Sequence, residues 1–590
     1  MKKLVSLAIT LMLILAAFTT FSSPVSAEEA FDKWDGTTYD TSWYDPSNTT
    51  KTEYTLTKAS QLAGLADICN ATANKTPGHF SGCTIYIAAN LDLGGYKWPV
   101  IGNDNNHSFG GRLVGRLGGA DGKSVIIKNM NIDTNGTSQK NVGLVGTQAG
   151  GGIENITLLG ATISCPNNTT GSFVGYSKFS QCTYKNLISD ADIICGGAKW
   201  VGGIVAYSNY DENIFENCVF TGKITCDSEA TIWVGGICGN TERITHFKNC
   251  YVGGQINAAC VQVGGFVGFV TAGVTVTFTD CQFDGVVNCT NKPAGSFVGD
   301  VGFGAKETTL TFTNCFNSGV TINAYPYLQY QFSWIGTLSG ADGGQAMVIG
   351  LQNCYSLASF PVAAKCDMNR LYKVTTYDGT VKEVNSTQLN DLASISMPKV
   401  VETGKCLGSN AESALLAFDF KNTWAIRDAK YPVLACAVDY ASGEFGSADY
   451  TWLDGTKDTF NIETEEQLLG LARLSKIYDF SSVTLKIDSL LKDQITKELF
   501  GEELANKLKS GITAVETTAE ETTKAPDPVT EAPKTEAPAP ETETPTETSA
   551  QTEKPAEEKK SGCSSVITAE FIVILVADLG CAWIASKKQK

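Results

Sequence analysis

Short apolar runs recur along the chain at a nearly fixed interval, and their alternation is that of half-buried strands. One kind of run is typified by CVFTGKITC at 218–226, and a glycine-rich apolar run comes after each of these. The second kind reads VGLVG at 142–146, GSFVG at 171–175, WVGGIVA at 200–206, WVGGICG at 233–239, VGGFVG at 263–268 and GSFVG at 295–299. One polar position marks each unit: Asn155, Asn186, Asn217, Asn249, Asp280, Asn314 and Asn353, at intervals of 31, 31, 32, 31, 34 and 39 residues. A repeat of this length means stacked units, and the runs carry no helical period. The pattern predicts an all-β fold, a right-handed parallel β-solenoid over 98–440 with one coil per repeat.

Stacking gives each column a physical role. Equivalent positions of successive coils lie about 4.8 Å apart, so like side chains form ladders. The Asn/Asp column belongs at a turn, where short polar side chains bond the backbone and one another. Cys218, Cys250, Cys281, Cys315 and Cys354 form a second column, and Cys165, Cys195, Cys226 and Cys289 a partial third. Both are expected to point inward as small apolar residues. Five successive cysteines in one column cannot all pair within it, so reduced ladders are favoured over a disulfide framework or a metal site of four thiolates.

A shorter similarity flanks the repeats. DTSWYD at 40–45 leads to QLAGLA at 61–66, and DYTWLD at 449–454 leads to QLLGLA at 467–472. Thr464 to Gln467 fits a capping box, so each copy predicts one short helix. The first would cap the open solenoid end within 28–97, because an uncovered coil is an unpaired sheet edge. The second opens a small separate α/β unit over 446–510, read as a truncated second solenoid start.

Residues 98–132, WPVIGNDNNHSFGGRLVGRLGGADGKSVIIKNMNI, resemble the opening segment of GLUG-motif repeat proteins. The matching positions are Trp98, Ile101, Gly102, Phe109, Gly111, Asp121, Gly122, Ile126, Asn129 and Ile132. The VGGxVG runs are similar to that family's repeat core, and 418–434, with Trp424, Tyr431 and Pro432, resembles its closing segment. The cysteine-rich repeats and the insertion AYPYLQYQFSW depart from the pattern. The resemblance implies an extracellular solenoid of the kind found in bacterial surface and adhesin-like proteins, and it brings no catalytic residues.

The two ends change the picture of location. Residues 1–27 have the cationic start, apolar run and small-residue cleavage site of a secretion signal. Residues 511–561 are rich in Pro, Thr and Glu, with seven of the 17 prolines, which predicts an extended disordered stalk. An apolar run over 564–585, interrupted by Glu570 and Asp578, is long enough to span a bilayer as a helix. The lysines of 586–590 predict a cytoplasmic tail and an external body. This layout is similar to the C-terminal anchors of Gram-positive surface proteins. Across all 590 residues the net charge is −17, which repels nucleic acid.

Candidate chemistry is sparse. The three histidines, His79, His107 and His246, are scattered, so neither a His-based metal site nor a Ser-His-Asp triad is expected. No catalytic residue, metal or cofactor is assigned. Asp190 with Asp192, and Asp121 or Asp133, are the nearest carboxylates for a carbohydrate-active β-helix enzyme, the alternative reading. Aromatic residues offer more. Trp200 and Trp233 share a repeat position, Trp334 lies near it, and Tyr325, Tyr327 and Tyr330 crowd the insertion. Such residues suit a surface that binds an extracellular glycan or protein, provided they face outward rather than into the core. The expectation is a surface-anchored binding or adhesin-like module. A purely structural envelope component is the third reading.

Overall fold

The computed structural model describes residues 30–511 apart from short stretches, the longest being 324–332, 339–346 and 390–398. The expected secretion signal, stalk and span therefore lie outside the described residues, as do Tyr325, Tyr327 and Tyr330. Among the described residues no helix is long and apolar enough to cross a membrane. All of them belong to one compact unit of the chain, Met1–Glu516.

The repeats form a parallel β-solenoid of about eight turns. Each strand lies on its counterpart one repeat later. Asp192–Cys195 pairs with Lys223–Cys226, Trp200–Gly202 with Trp233–Gly235, and Val205–Ser208 with Cys238–Thr241. Inward positions stack as like on like. Tyr184, Phe215, Phe247, Phe278 and Phe312 form one column, with ring centroids 4.8–5.0 Å apart. Phe266, Phe297 and Trp334 form a second, meeting the first edge-on.

The marker column sits at a turn, as expected. Asn155, Asn186, Asn217, Asn249, Asp280, Asn314 and Asn353 have φ of 57, 53, 53, 51, 51, 53 and 54°. Asn and Asp tolerate this left-handed conformation better than other side-chain-bearing residues, which explains the column's restricted chemistry. Asn186 Nδ2 donates to Asn155 Oδ1 at 2.6 Å, and Asn217 to Asn186 at 2.7 Å. The next column, Cys218 to Cys354, is buried and carries no disulfide. The thiols of Cys218, Cys250, Cys281 and Cys315 each face a carbonyl of the preceding coil at 3.4–3.5 Å.

The opening segment is core and turn. Trp98, Ile101, Phe109 and Ile132 are buried. Gly102 has φ of 66°, and a Cβ there would crowd His107 O and Phe109 N at 2.9 Å. The helix Ala59–Ala71 comes directly after the strand Glu53–Leu56, which pairs in parallel with Thr84–Ile87.

Two later segments lie along the sides of the solenoid. Trp424 and Tyr431 pack over Val219, Tyr251, Phe316 and Tyr355, which point outward from the coils, with Gln282 holding the position between Tyr251 and Phe316. The segment that was expected to close the solenoid thus covers a flank, because that flank is apolar. The 446–510 region repeats the cap, with the helix Glu465–Ser475 between the parallel strands Thr459–Ile462 and Thr484–Ile487. It is not separate. Its apolar core continues into Val286, Val320 and Ile322 of the solenoid. Arg473 donates to Tyr450 Oη at 3.0 Å and to the carbonyl oxygen of Asp284.

A candidate binding strip on the uncovered flank

With two flanks covered, two outward surfaces of the coils stay open among the described residues. One is the broad sheet, whose charges neutralise each other: Arg112 pairs with Glu154, and Glu216 with Lys185 and Lys248. Alternating signs leave no field to steer a charged ligand.

The other is built by the glycine-rich runs. Their paired glycines turn the chain so tightly that the strands on either side nearly touch. A Cβ at Gly239 would meet Val201 N and O at 2.8 Å. Side chains leaving the two strands therefore emerge together. From the first strand come Thr169, Trp200, Trp233 and Gln262 in register. From the second come Thr147, Tyr176, Tyr207, Asn240, Phe269 and Asp300.

The rings of this strip are stacked on one another. Tyr176 lies on Tyr207 at 4.9 Å, Tyr207 on Trp200 at 4.4 Å, Trp200 on Trp233 at 5.6 Å and Trp233 on Phe269 at 4.9 Å. Trp200, Trp233, Tyr176 and Phe269 are half-buried, so ring faces are used within the strip and ring edges meet solvent. Asn209 Nδ2 donates to the hydroxyls of both tyrosines, at 2.6 Å to Tyr207 and 3.1 Å to Tyr176. Burial pushes the Tyr207 hydroxyl well above its ordinary value, so it stays neutral.

One level of the strip is polar. Asn240 falls between Tyr207 and Phe269, is 0% exposed, and neither its Oδ1 nor its Nδ2 has a hydrogen-bond partner. Trp233, stacked between Trp200 and Phe269, comes from the same coil. The indole Nε1 atoms of Trp200 and Trp233 and Oε1 of Gln262 are likewise buried and unpartnered. Gln262 Nε2 donates to Asp300 Oδ2 at 3.0 Å. Each unpaired buried group costs about 1–3 kcal/mol, so five such atoms in one strip are expensive to keep without use.

Trp334 does not belong here. It stands four positions later in its repeat than Trp200 and Trp233, in register with Phe297. It is 1% exposed and stacked on Phe297 at 4.5 Å. The insertion before it hides that alignment. Asn240, Tyr207, Tyr176, Phe269 and Gln262 escaped the sequence reading, although Tyr207, Asn240 and Phe269 each stand seven residues after Trp200, Trp233 and Gln262. Reading down that column would have found them.

Three of the four carboxylates considered for catalysis are engaged locally. Asp190 accepts from Gly160 N at 2.7 Å, and burial raises its pKa. Asp121 pairs with Arg116 at 2.8 Å, and Asp133 accepts from Asn135 N at 2.9 Å. Asp192 is exposed and in register with Lys223. Among the described residues no cluster of three His, Cys, Asp or Glu is arranged to hold a metal.

No protein-family model matches the chain and no curated protein does, so the likeness to GLUG-motif proteins rests on the residues quoted above. Among solved structures, the chain is similar to a candidate immunoglobulin A1 protease from Bacteroides ovatus. The two share 15% identity over 65% of this chain and 92% of that one, with a TM-score of 0.34.

Proposed function

We propose that the protein is a surface-anchored β-solenoid that binds an extracellular glycan or protein along the strip of Trp200, Trp233, Tyr207 and Asn240. Secretion by the 1–27 signal, display on the 511–561 stalk and retention by a 564–585 span belong to the same reading. The observation that carries it is the coincidence of half-buried aromatics with unpartnered buried polar atoms on a flank that, among the described residues, no later segment covers. A rigid ladder of coils also suits a long contact surface better than a deep pocket.

The full chain, purified in detergent, would be incubated with insoluble cell wall, mucin and plant polysaccharides, scoring retention and new sugar ends together. Retention without new ends is expected, and Trp233→Ala should reduce it. New sugar ends would overturn the reading in favour of a carbohydrate-active enzyme. Absence of retention on every surface would overturn the glycan ligand in favour of a protein ligand or a structural envelope component.

A further inference from the structure

We propose that the strip recognises N-acetylated amino sugars in a neutral glycan, with Asn240 reading the acetamido group. This rests on the binding-module reading above and narrows its ligand.

The unpartnered atoms define what fits. Donors are Nδ2 of Asn240 and Nε1 of Trp200 and Trp233; acceptors are Oδ1 of Asn240 and Oε1 of Gln262. A ligand must therefore supply both acceptors and donors across three adjacent coils of the strip. An acetamido group brings one carbonyl, one N–H and a methyl, and a neighbouring ring hydroxyl adds a further donor and acceptor. In the proposed complex Asn240 Oδ1 accepts from the acetamido N–H, and Asn240 Nδ2 donates to the adjacent hydroxyl. An indole N–H donates to the acetamido carbonyl, and the methyl packs against the Phe269 ring, which flanks Asn240 in register and whose face Trp233 covers in the closed position. A plain hexose has hydroxyls for the polar atoms but nothing for that apolar flank. A polyanion is disfavoured by Asp300, which lies in the same column, and by the chain's net charge of −17.

Access needs one movement. Asn240 is fully buried, and Trp233, from the same coil, is itself half-buried with an Nε1 that makes no bond. Rotation of that side chain toward solvent opens the amide and breaks no hydrogen bond of the indole. Trp233 is thus the lid and Asn240 the reader.

The test titrates the full chain in detergent with chitotriose and with cellotriose, which shares the β-1,4 backbone but lacks the acetamido groups. Binding is followed by tryptophan fluorescence and calorimetry. Chitotriose should bind at least tenfold tighter than cellotriose. Asn240→Leu should abolish that preference while leaving the melting temperature equal or higher, since it removes an unpartnered buried amide without emptying its space. A lower melting temperature with lost binding would be checked with Trp233→Phe, which keeps the stack and removes the N–H. This variant should bind chitotriose more weakly than the parent chain. Equal binding of the two sugars, or unchanged preference in Asn240→Leu, would overturn the acetamido assignment and leave the binding-module reading standing. Failure to bind either sugar, together with no retention on any surface in the previous experiment, would overturn both the acetamido assignment and the glycan ligand.

Discussion

Asp280 shows how much one atom matters in a ladder. Asn314 Nδ2 donates back to Asp280 Oδ1 at 3.1 Å, and Asn353 to Asn314 at 3.2 Å, the same polarity as in the earlier coils. An ionised carboxylate cannot continue the chain of donations, and Asn249 Oδ1 in the preceding coil is buried without a partner. Burial raises the Asp280 pKa, opposed by the Asn314 amide; Lys248 pulls it down, and Cys315 and Asp419 push it up. A carboxyl whose folded pKa is raised binds its proton more tightly in the native state. Its contribution to stability is therefore largest at acid pH and is lost as pH rises through the folded value. Asp280→Asn supplies the missing donor at every pH. It should stabilise the protein by about 1 kcal/mol at neutral pH, with the gain shrinking as pH falls toward the ordinary carboxylate range. Urea midpoints of the two chains across that range check this, and a pH-independent difference would refute it.

At the scale of elements, the two caps are copies down to their hydrogen bonds. Trp43 Nε1 donates to Asp40 O at 2.9 Å, and Trp452 Nε1 to Asp449 O at 2.8 Å. Gln61 and Gln467 each fold back to accept the backbone N–H four residues earlier, at 2.8 Å. Gly64 and Gly470 sit where a Cβ would run into the carbonyl oxygens of Asp40 and Asp449. Neither has positive φ, so the need for glycine is close approach alone. Gly64→Ala and Gly470→Ala should each destabilise their own cap by about 1–3 kcal/mol through overpacking. Hydrogen exchange should show faster opening of the helix Ala59–Ala71 in the first and of Glu465–Ser475 in the second, with the other copy unchanged. The copies differ in the pairing of their last strand. Thr84–Ile87 carries the next coil on Arg112–Gly115, whereas among the described residues Thr484–Ile487 pairs only with Thr459–Ile462.

At the scale of the Met1–Glu516 unit, the second cap is held to the solenoid by apolar packing and by Arg473. Asp284 is buried, accepts from Tyr251 Oη at 2.9 Å and from Ser318 Oγ at 3.1 Å, and its backbone carbonyl accepts from Arg473. Arg473→Ala removes the cation facing this buried carboxylate and should weaken docking by about 3 kcal/mol. Limited proteolysis should then cut within 446–510 while the solenoid stays intact; equal resistance of both chains would show that apolar packing alone suffices.

The parallel solenoid, the turn position of the Asn column and the inward Cys column were all legible in the sequence. Each arises from a repeat that places the same residue type at the same backbone position in every coil, so local spacing carries the information. The duplicated cap was legible for the same reason. Which flanks are covered was not. Val219, Tyr251, Phe316 and Tyr355 read as strand residues in either case, and only the folded chain lays Trp424 and Tyr431 over them. Nor could spacing separate Trp334 from Trp200, because an insertion shifts it into the core column. The strip joins two strands on either side of a glycine turn, and whether their side chains meet depends on how sharply that turn closes. Periodicity determined the coil; the angle between its strands determined which aromatics share a surface and left Asn240 buried among them.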